Sequence, residues 1–413
     1  MSKKSIKKIP SVILTMVATY LSVKEIKSFR LVCRIFYEAT ICKDVLERLN
    51  VKARSPSNTF VNFMKGISGG KFVTLNLLSV KEASLKKILD LVPNLQNVAV
   101  NIRLLHLLKD KCNLCSVTLI DDNASLFDKM KQSDYEAFFR PTFSSLNLKS
   151  LKLKSFNQTY HSDLIESLLS SVKSLHKIHF ESLTINNTRN CKLFKDFILS
   201  CQQITSWSFY NVKISSRKGV LLPAFTTKQY TCVDSILSLI NNQHSNLQSF
   251  TLGSLVQYVD KIWKKSNFTE LRYLELHNCF FYFSTLENSR KLNTLKLLKC
   301  HLPFYHLMKL SPHVQSSLQR LSIQSYKEID DERILTIIEN FVGLKELSII
   351  NMYTVTPKFL EKINHSKLKF VFIENCCQFN KKKVRDHIYT IRNDLTFTVV
   401  FKDMVNGVSI PLF

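Results

Sequence analysis

The feature that most limits how this chain can fold is an apolar pattern that keeps returning at short range. In Leu271 to Cys279, LRYLELHNC, Leu274 and Leu276 fall on one side of an extended strand. Leu271 turns in beside them, and Cys279 is a small soft residue where the chain must bend away. A lone strand of this kind cannot keep its apolar side dry. Neighbours on the same pattern follow: Leu292, Leu295, Leu297, Cys300; Leu318, Leu321, Ile323; Leu344, Leu347, Ile349; and Leu368, Val371, Ile373, Cys376. The first positions, Leu271, Leu292, Leu318, Leu344 and Leu368, are 21, 26, 26 and 24 residues apart. One strand plus a return segment per turn of a solenoid has this period.

The pattern also runs upstream, from Phe72, Leu75, Leu77 and Val80 through Val98/Val100, Val117/Leu119, Leu151/Leu153, Ile178/Phe180, Trp207/Phe209 and Phe250/Leu252, giving twelve repeats. Helix-like pieces lie between them, at 82–91, 162–172, 191–199, 331–340 and 381–392, and Thr356-Pro357 reads as a helix start. The expected fold is α/β, a horseshoe solenoid with strands inside and helices outside. Two steps are stretched, Leu114 to Leu148 and Ile204 to Leu247. The extra length leaves as loops at 123–142 and 215–228, either recognition loops or length drift without a role. Leu395 to Phe401 reads as a degenerate closing strand, with Val408 to Phe413 packed over it.

An apolar content of 45% fits a folded chain. No run of eighteen uncharged apolar residues occurs and Met1 to Lys8 lacks a following apolar segment, so the expected location is cytosol or nucleus, with no membrane contact. The eleven cysteines agree: Cys33, Cys279, Cys300 and Cys376 fall inside apolar patterns and read as packing residues. Cys112 and Cys115 have ligand spacing, but no second pair accompanies them, so no metal or other cofactor is expected. The formal charge of +26 implies attraction to acidic partners. Basic residues are scattered rather than massed, which disfavours a dedicated nucleic-acid surface.

Residues 8–50 form a separate helical module. Ile9-Pro10 opens a segment with Ile13, Leu14, Val17 and Leu21 at helical spacing; Ser22 and Glu25 make a capping box; Ile26 to Phe36 is a second helix; a third starts near Thr40. So many apolar side chains exceed what three short helices can bury, which marks either a binding module or a cap on the first repeat. Residues 51–70, with Pro56, Gly66, Gly69 and Gly70, read as a connector, and the repeats occupy 71–413.

The segment from Ile9-Pro10 to Phe36-Tyr37 resembles an F-box: an Ile-Pro start, a helix ending in Tyr20-Leu21, a Ser-x-x-Glu-Ile turn at 22–26, then Leu31-Val32-Cys33-Arg34-Ile35-Phe36. Val12 stands where an acidic residue is common, and Phe36 replaces the more usual Trp. With repeats whose strands end in Cys or Asn directly behind it, the chain resembles F-box proteins with leucine-rich repeats of the cysteine-containing type. The resemblance implies a non-catalytic substrate receptor of an SCF-type cullin-RING ubiquitin ligase. It assigns adaptor docking to Ile9, Pro10, Ile13, Leu14, Leu21, Leu31, Val32, Cys33 and Phe36. Partners would be the adaptor and cullin subunits and a target protein on the repeats.

Positions flanking the apolar landmarks point away from the core. Among them, the cations Lys152, Lys154, His179, His277, Lys296 and Arg320 and the rings Tyr210 and Tyr273 are what a site for an acidic or phosphorylated peptide uses. A plain solvated face has the same composition. No nucleophile and base arrangement, Gly-rich phosphate loop or His-Glu-x-x-His is present, so no enzymatic activity is expected. The alternative reading is a repeat scaffold for an acidic protein or nucleic acid, with the helices as an end cap.

Overall fold

The computed structural model describes residues 10–21, 23–40, 45, 50–52, 74–76, 81–92, 95–111, 113–120, 146–155, 174–182, 184–185, 195–214, 240, 245–253, 268–278, 286–300, 304–325, 329–365, 367–379, 395–400 and 410–411. By contacts the chain divides into two compact units, Met1–Leu183 and Thr184–Phe413.

The first unit starts with three helices, α1 (Ser11–Tyr20), α2 (Val23–Arg30) and α3 (Arg34–Thr40). Pro10 sits at the N-cap rather than inside α1, and its carbonyl accepts from the amides of Ile13 and Leu14 at 3.0 and 3.2 Å. The continuous second helix read from the sequence is broken: α2 ends at Arg30, and a turn at Leu31-Val32 precedes α3. Of the capping box, Ser22 lies outside the described residues, while Glu25 is in the first turn of α2. Strands β1 (Asn50–Lys52), β2 (Thr74–Asn76), β3 (Asn97–Asn101), β4 (Ser116–Ile120), β5 (Ser150–Lys154) and β6 (Lys177–Glu181) then pair in parallel, each with the next. Strand β1 lies at the start of the expected connector, so pairing begins one strand earlier than the repeat pattern indicates.

The second unit contains a two-stranded pair, β7 (Thr184–Ile185) with β9 (Lys213–Ile214). Its main strands are β8 (Ser206–Tyr210), β10 (Ser249–Gly253), β11 (Tyr273–His277), β12 (Thr294–Leu298), β13 (Arg320–Gln324), β14 (Glu346–Ile350), β15 (Phe370–Glu374) and β16 (Thr396–Val400), all parallel in that order. Strand β17 (Ile410–Pro411) closes the edge antiparallel to β16.

Register explains why the triads matter. Leu274, Leu295, Leu321, Leu347 and Val371 stand opposite one another on successive strands, as do Leu276, Leu297, Ile323, Ile349 and Ile373, and all are buried. Each such side chain contributes roughly 1.5–3 kcal/mol on burial, and together they make a continuous apolar ladder. Where the sequence shows 3.6-residue spacing a helix buries one face within its own unit. In the first unit Glu82–Leu91 buries Leu85, Ile88 and Leu89; in the second Asp331–Asn340 buries Ile334, Ile337 and Ile338. Asp330 caps the latter by accepting from the Arg333 amide at 3.0 Å. Downstream, Thr356 Oγ1 accepts from the Lys358 amide at 3.4 Å, and the helix itself is Lys358–Glu361, starting after Pro357.

Strands β5, β6, β8 and β11 to β15 share one way of ending. The residue following the strand adopts positive φ at Ser155, Ser182, Asn211, Asn278, Lys299, Ser325, Asn351 and Asn375. In that conformation its amide reaches the last carbonyl of the neighbouring strand, as in Asn278 to Leu298 O and Asn351 to Glu374 O, both 2.8 Å. The cysteines that follow serve the same bend: Cys300 Sγ donates to Leu276 O at 3.2 Å, and Cys376 Sγ accepts from the Met352 amide at 3.4 Å. Burial pushes the Cys376 thiol up to about 11. The stretched segments 123–142 and 215–228, the helix-like pieces 162–172 and 381–392, and Cys112 and Cys279 lie outside the described residues.

Candidate functional site

In the helical module Ala18, Ile26, Ala39, Thr40 and Val45 are buried, and Leu14 joins them at 4% exposure. Leu14 was expected on the docking face, and the structure corrects this: it and Ala18, one helical turn apart, form the inward side of α1. The opposite side carries Ile13, Met16 and Val17, at i, i+3 and i+4, all exposed. At the α2–α3 turn the amides of Leu31 and Val32 close onto Ser28 O and Phe29 O at 3.1 and 3.2 Å. That tight turn leaves Leu31 87% and Val32 52% exposed. Ile35 on α3 and Pro10 are exposed too, whereas Leu21, Cys33 and Phe36 are half-buried. Phe36 rests on Phe29, ring centroids 4.3 Å apart, and Arg30 ties the two helices by donating to Thr40 Oγ1 at 2.6 Å. Ile9 lies outside the described residues. Met16, Val17 and Ile35 were not among the expected docking residues; helical spacing from Ile13 and from Leu31-Val32 is the signal that points to them.

The candidate ligand residues of the repeats fall into groups. In the first unit Lys152 stands opposite His179, and Lys154 opposite Glu181. Both lysines bridge to Glu181, at 2.7 and 2.6 Å. Burial alone raises the Glu181 carboxyl, but the hydrogen bonds and charges of the two lysines outweigh it and bring it to about 2. His179 goes the other way: burial first, then the charge of Lys152, lowers it to about 4, so it is neutral at pH 7. Its Nε2 is 3.6 Å from Glu181 Oε2, too far for a hydrogen bond.

In the second unit Tyr210 crosses Gly253 to meet His277 edge to face, centroids 5.2 Å apart. A Cβ on Gly253 would come 2.4 Å from the Tyr210 ring, so the missing side chain makes this contact possible. Tyr273 and His277 both hydrogen-bond Glu275, and Lys296 lies 3.6 Å from the same carboxylate and 5.4 Å from the Tyr273 ring centroid. Burial raises the Glu275 carboxyl; the His277 hydrogen bond and Lys296 override it, and the net shift is downward. Arg320 stands apart from this group and pairs with Glu346, opposite it on β14, at 3.0 Å. Each candidate lysine and arginine therefore already faces a carboxylate of its own sheet. Cys115 Sγ donates to Asn113 O, and among the described residues no three His, Cys, Asp or Glu side chains gather to hold a metal.

One parallel strand per repeat, 21–26 residues apart from β11 to β16 and stacked in register, is the leucine-rich-repeat solenoid fold. No family model matches the sequence, and no curated protein matches it. Among solved structures, the chain is similar to the crystal structure of the Rad7 and Elc1 complex in yeast, with a TM-score of 0.56 and 13% identity over 95% of this chain and 89% of that one. It is more loosely similar to the leucine-rich repeat-containing protein LegL7 from Legionella pneumophila, with a TM-score of 0.39 and 12% identity over 74% of this chain and 91% of that one. Among the described residues no helix is long and apolar enough to cross a membrane.

Proposed function

We propose that this chain is the substrate-recognition subunit of an SCF-type cullin-RING ubiquitin ligase, docking on the adaptor through α1–α3 and holding a target protein on the repeats. One observation carries the reading: Ile13, Met16, Val17, Leu31, Val32 and Ile35 expose apolar surface on a small module whose interior is already filled by Leu14, Ala18, Ile26 and Ala39. Surface of this kind is stabilised when another polypeptide covers it. It includes Ile13, Leu31 and Val32 of the F-box pattern, and the similar yeast protein Rad7 was crystallised in a complex, with Elc1. The chain itself performs no bond chemistry in this reading. It raises the effective concentration of a target lysine near the charged conjugating enzyme supplied by other subunits.

Co-purification with an SCF adaptor tests it. Wild type is expected to retain the adaptor, and a variant with Pro10→Ser, Leu31→Asp and Val32→Asp to lose it by at least tenfold. Absent or equal capture by both rejects the ligase role.

A further inference from the structure

The charge of +26 is not spent on the open face of the sheet, where Glu181, Glu275 and Glu346 answer the lysines and arginine. Along one edge of the second unit, cations line a cleft as well. The residue just before each strand there is Arg272 at β11, Asn293 at β12, Gln319 at β13 and Lys345 at β14. With Lys291, Lys367 and the segments at Ser317 and Gly343 they line a cleft of about 510 Å³ that no Asp or Glu lines. Lys291 is held by Glu270 at 2.6 Å. Arg272, Lys345 and Lys367 are exposed and have no carboxylate in salt-bridge range among the described residues.

Local hydrogen bonding decides what this cleft presents. The carbonyls of Arg272, Asn293, Gln319 and Lys345 each accept two amides from the opening of the next strand, at 2.8–3.0 Å. Both lone pairs of each oxygen are thus engaged, and its repulsion of an anion is reduced. The Ser316 and Ser317 hydroxyls donate to His313 O and Leu292 O, so their protons are committed. Asn293 Oδ1 accepts from Thr294 Oγ1 at 2.9 Å, which leaves its NH2 to point elsewhere. Gly343 runs flat against Ser316, whose carbonyl oxygen a Cβ would meet at 2.1 Å. What remains is positive charge at the two ends, Arg272 at one and Lys345 with Lys367 at the other, and side-chain amides between.

We propose that this cleft binds an extended acidic peptide segment with carboxylates at two places four residues apart. Three strand steps separate Arg272 from Lys345, about 14 Å at the usual strand spacing, and four residues of extended peptide cover about 13 Å. The central amides suit a peptide backbone. No aromatic ring lines the cleft on which a nucleic-acid base would stack. The site makes no use of α1–α3, so it stands or falls separately from the ligase reading.

The test is fluorescence anisotropy on the full chain without adaptor. The probe is a labelled nine-residue Gly/Ser peptide with Glu at its second, third, sixth and seventh positions. This peptide is expected to bind at least fivefold tighter than one with four contiguous Glu, and the Gln version not to bind. Arg272→Glu with Lys345→Glu is expected to weaken binding at least tenfold; Arg272→Gln with Lys345→Gln gives the same readout should charge reversal disturb folding. Lys86→Glu with Lys87→Glu, the same change of net charge on the exposed side of helix Glu82–Leu91, is expected to stay within twofold of wild type. So is the variant at Pro10, Leu31 and Val32. Equal weakening by the Lys86/Lys87 pair, no preference for the spaced peptide, or tighter binding of inorganic phosphate or a twelve-nucleotide single strand overturns the proposal.

Discussion

His179 faces Lys152 across the β5–β6 pair, and burial, then the Lys152 charge, keep it neutral against the opposing pull of Glu181 two residues on. The unfolded chain takes a proton at the ordinary histidine value near 6.5, the folded one only at about 4. Between those values the unfolded state binds more protons, so stability falls as pH drops through this window and is complete above it. Glu181, lowered from 4.5 to about 2, adds a second loss beginning below pH 4.5. His179→Gln is expected to shrink the fall in melting temperature between pH 7 and pH 5; an unchanged slope counts against this account. Lys299 is a second single-residue case. It holds φ 54 at a position where Asn211, Asn278, Asn351 and Asn375 hold nearly the same angle, and a long L side chain pays about 1–2 kcal/mol there. Lys299→Asn is expected to raise the denaturant midpoint by roughly 0.5–1 kcal/mol of stability; a lower midpoint contradicts the strain.

Elements were legible in the sequence wherever a period repeats long enough to exclude alternatives. Five-residue strands stand at Leu274/Leu276, Leu295/Leu297 and Leu321/Ile323 as the alternation requires, and the helices Glu82–Leu91 and Asp331–Asn340 have the expected bounds. Strand β1 escaped notice because Val51 is its single apolar residue and gives no period. The break at Leu31-Val32 escaped because apolar residues on every side of that segment hide which ones face out. Leu14 was misplaced for a related reason: with Ile13, Leu14, Met16 and Val17 all apolar, only the packing of α1 against α3 tells inside from outside. Among the candidate ligand residues, sequence identified the cations, yet their glutamate partners sit on strands more than twenty residues away or follow from register. The cleft at Arg272 and Lys345 has no sequence signal because it forms from the residue directly after the first apolar position of each repeat, where the residue type varies.

At the scale of each unit, the stacked strands leave an open backbone edge that needs an ending. Val399 pairs with Ile410 and Thr398 with Pro411, so β17 covers β16. Removing residues 408–413 is expected to expose the β16 edge and produce self-association, seen as a rise in light scattering at constant protein concentration; an unchanged monomer shows that β17 is dispensable as a cover.

The covering strand differs in one respect from the strands it follows. It runs against them, and its second residue is a proline, which carries no amide hydrogen. A further parallel strand laid alongside would meet a reversed direction. Up to β16 each strand is a parallel template for the next, and the antiparallel β17 interrupts that series at the β16 edge, the same device by which sheet proteins keep stacked strands from growing into a fibre.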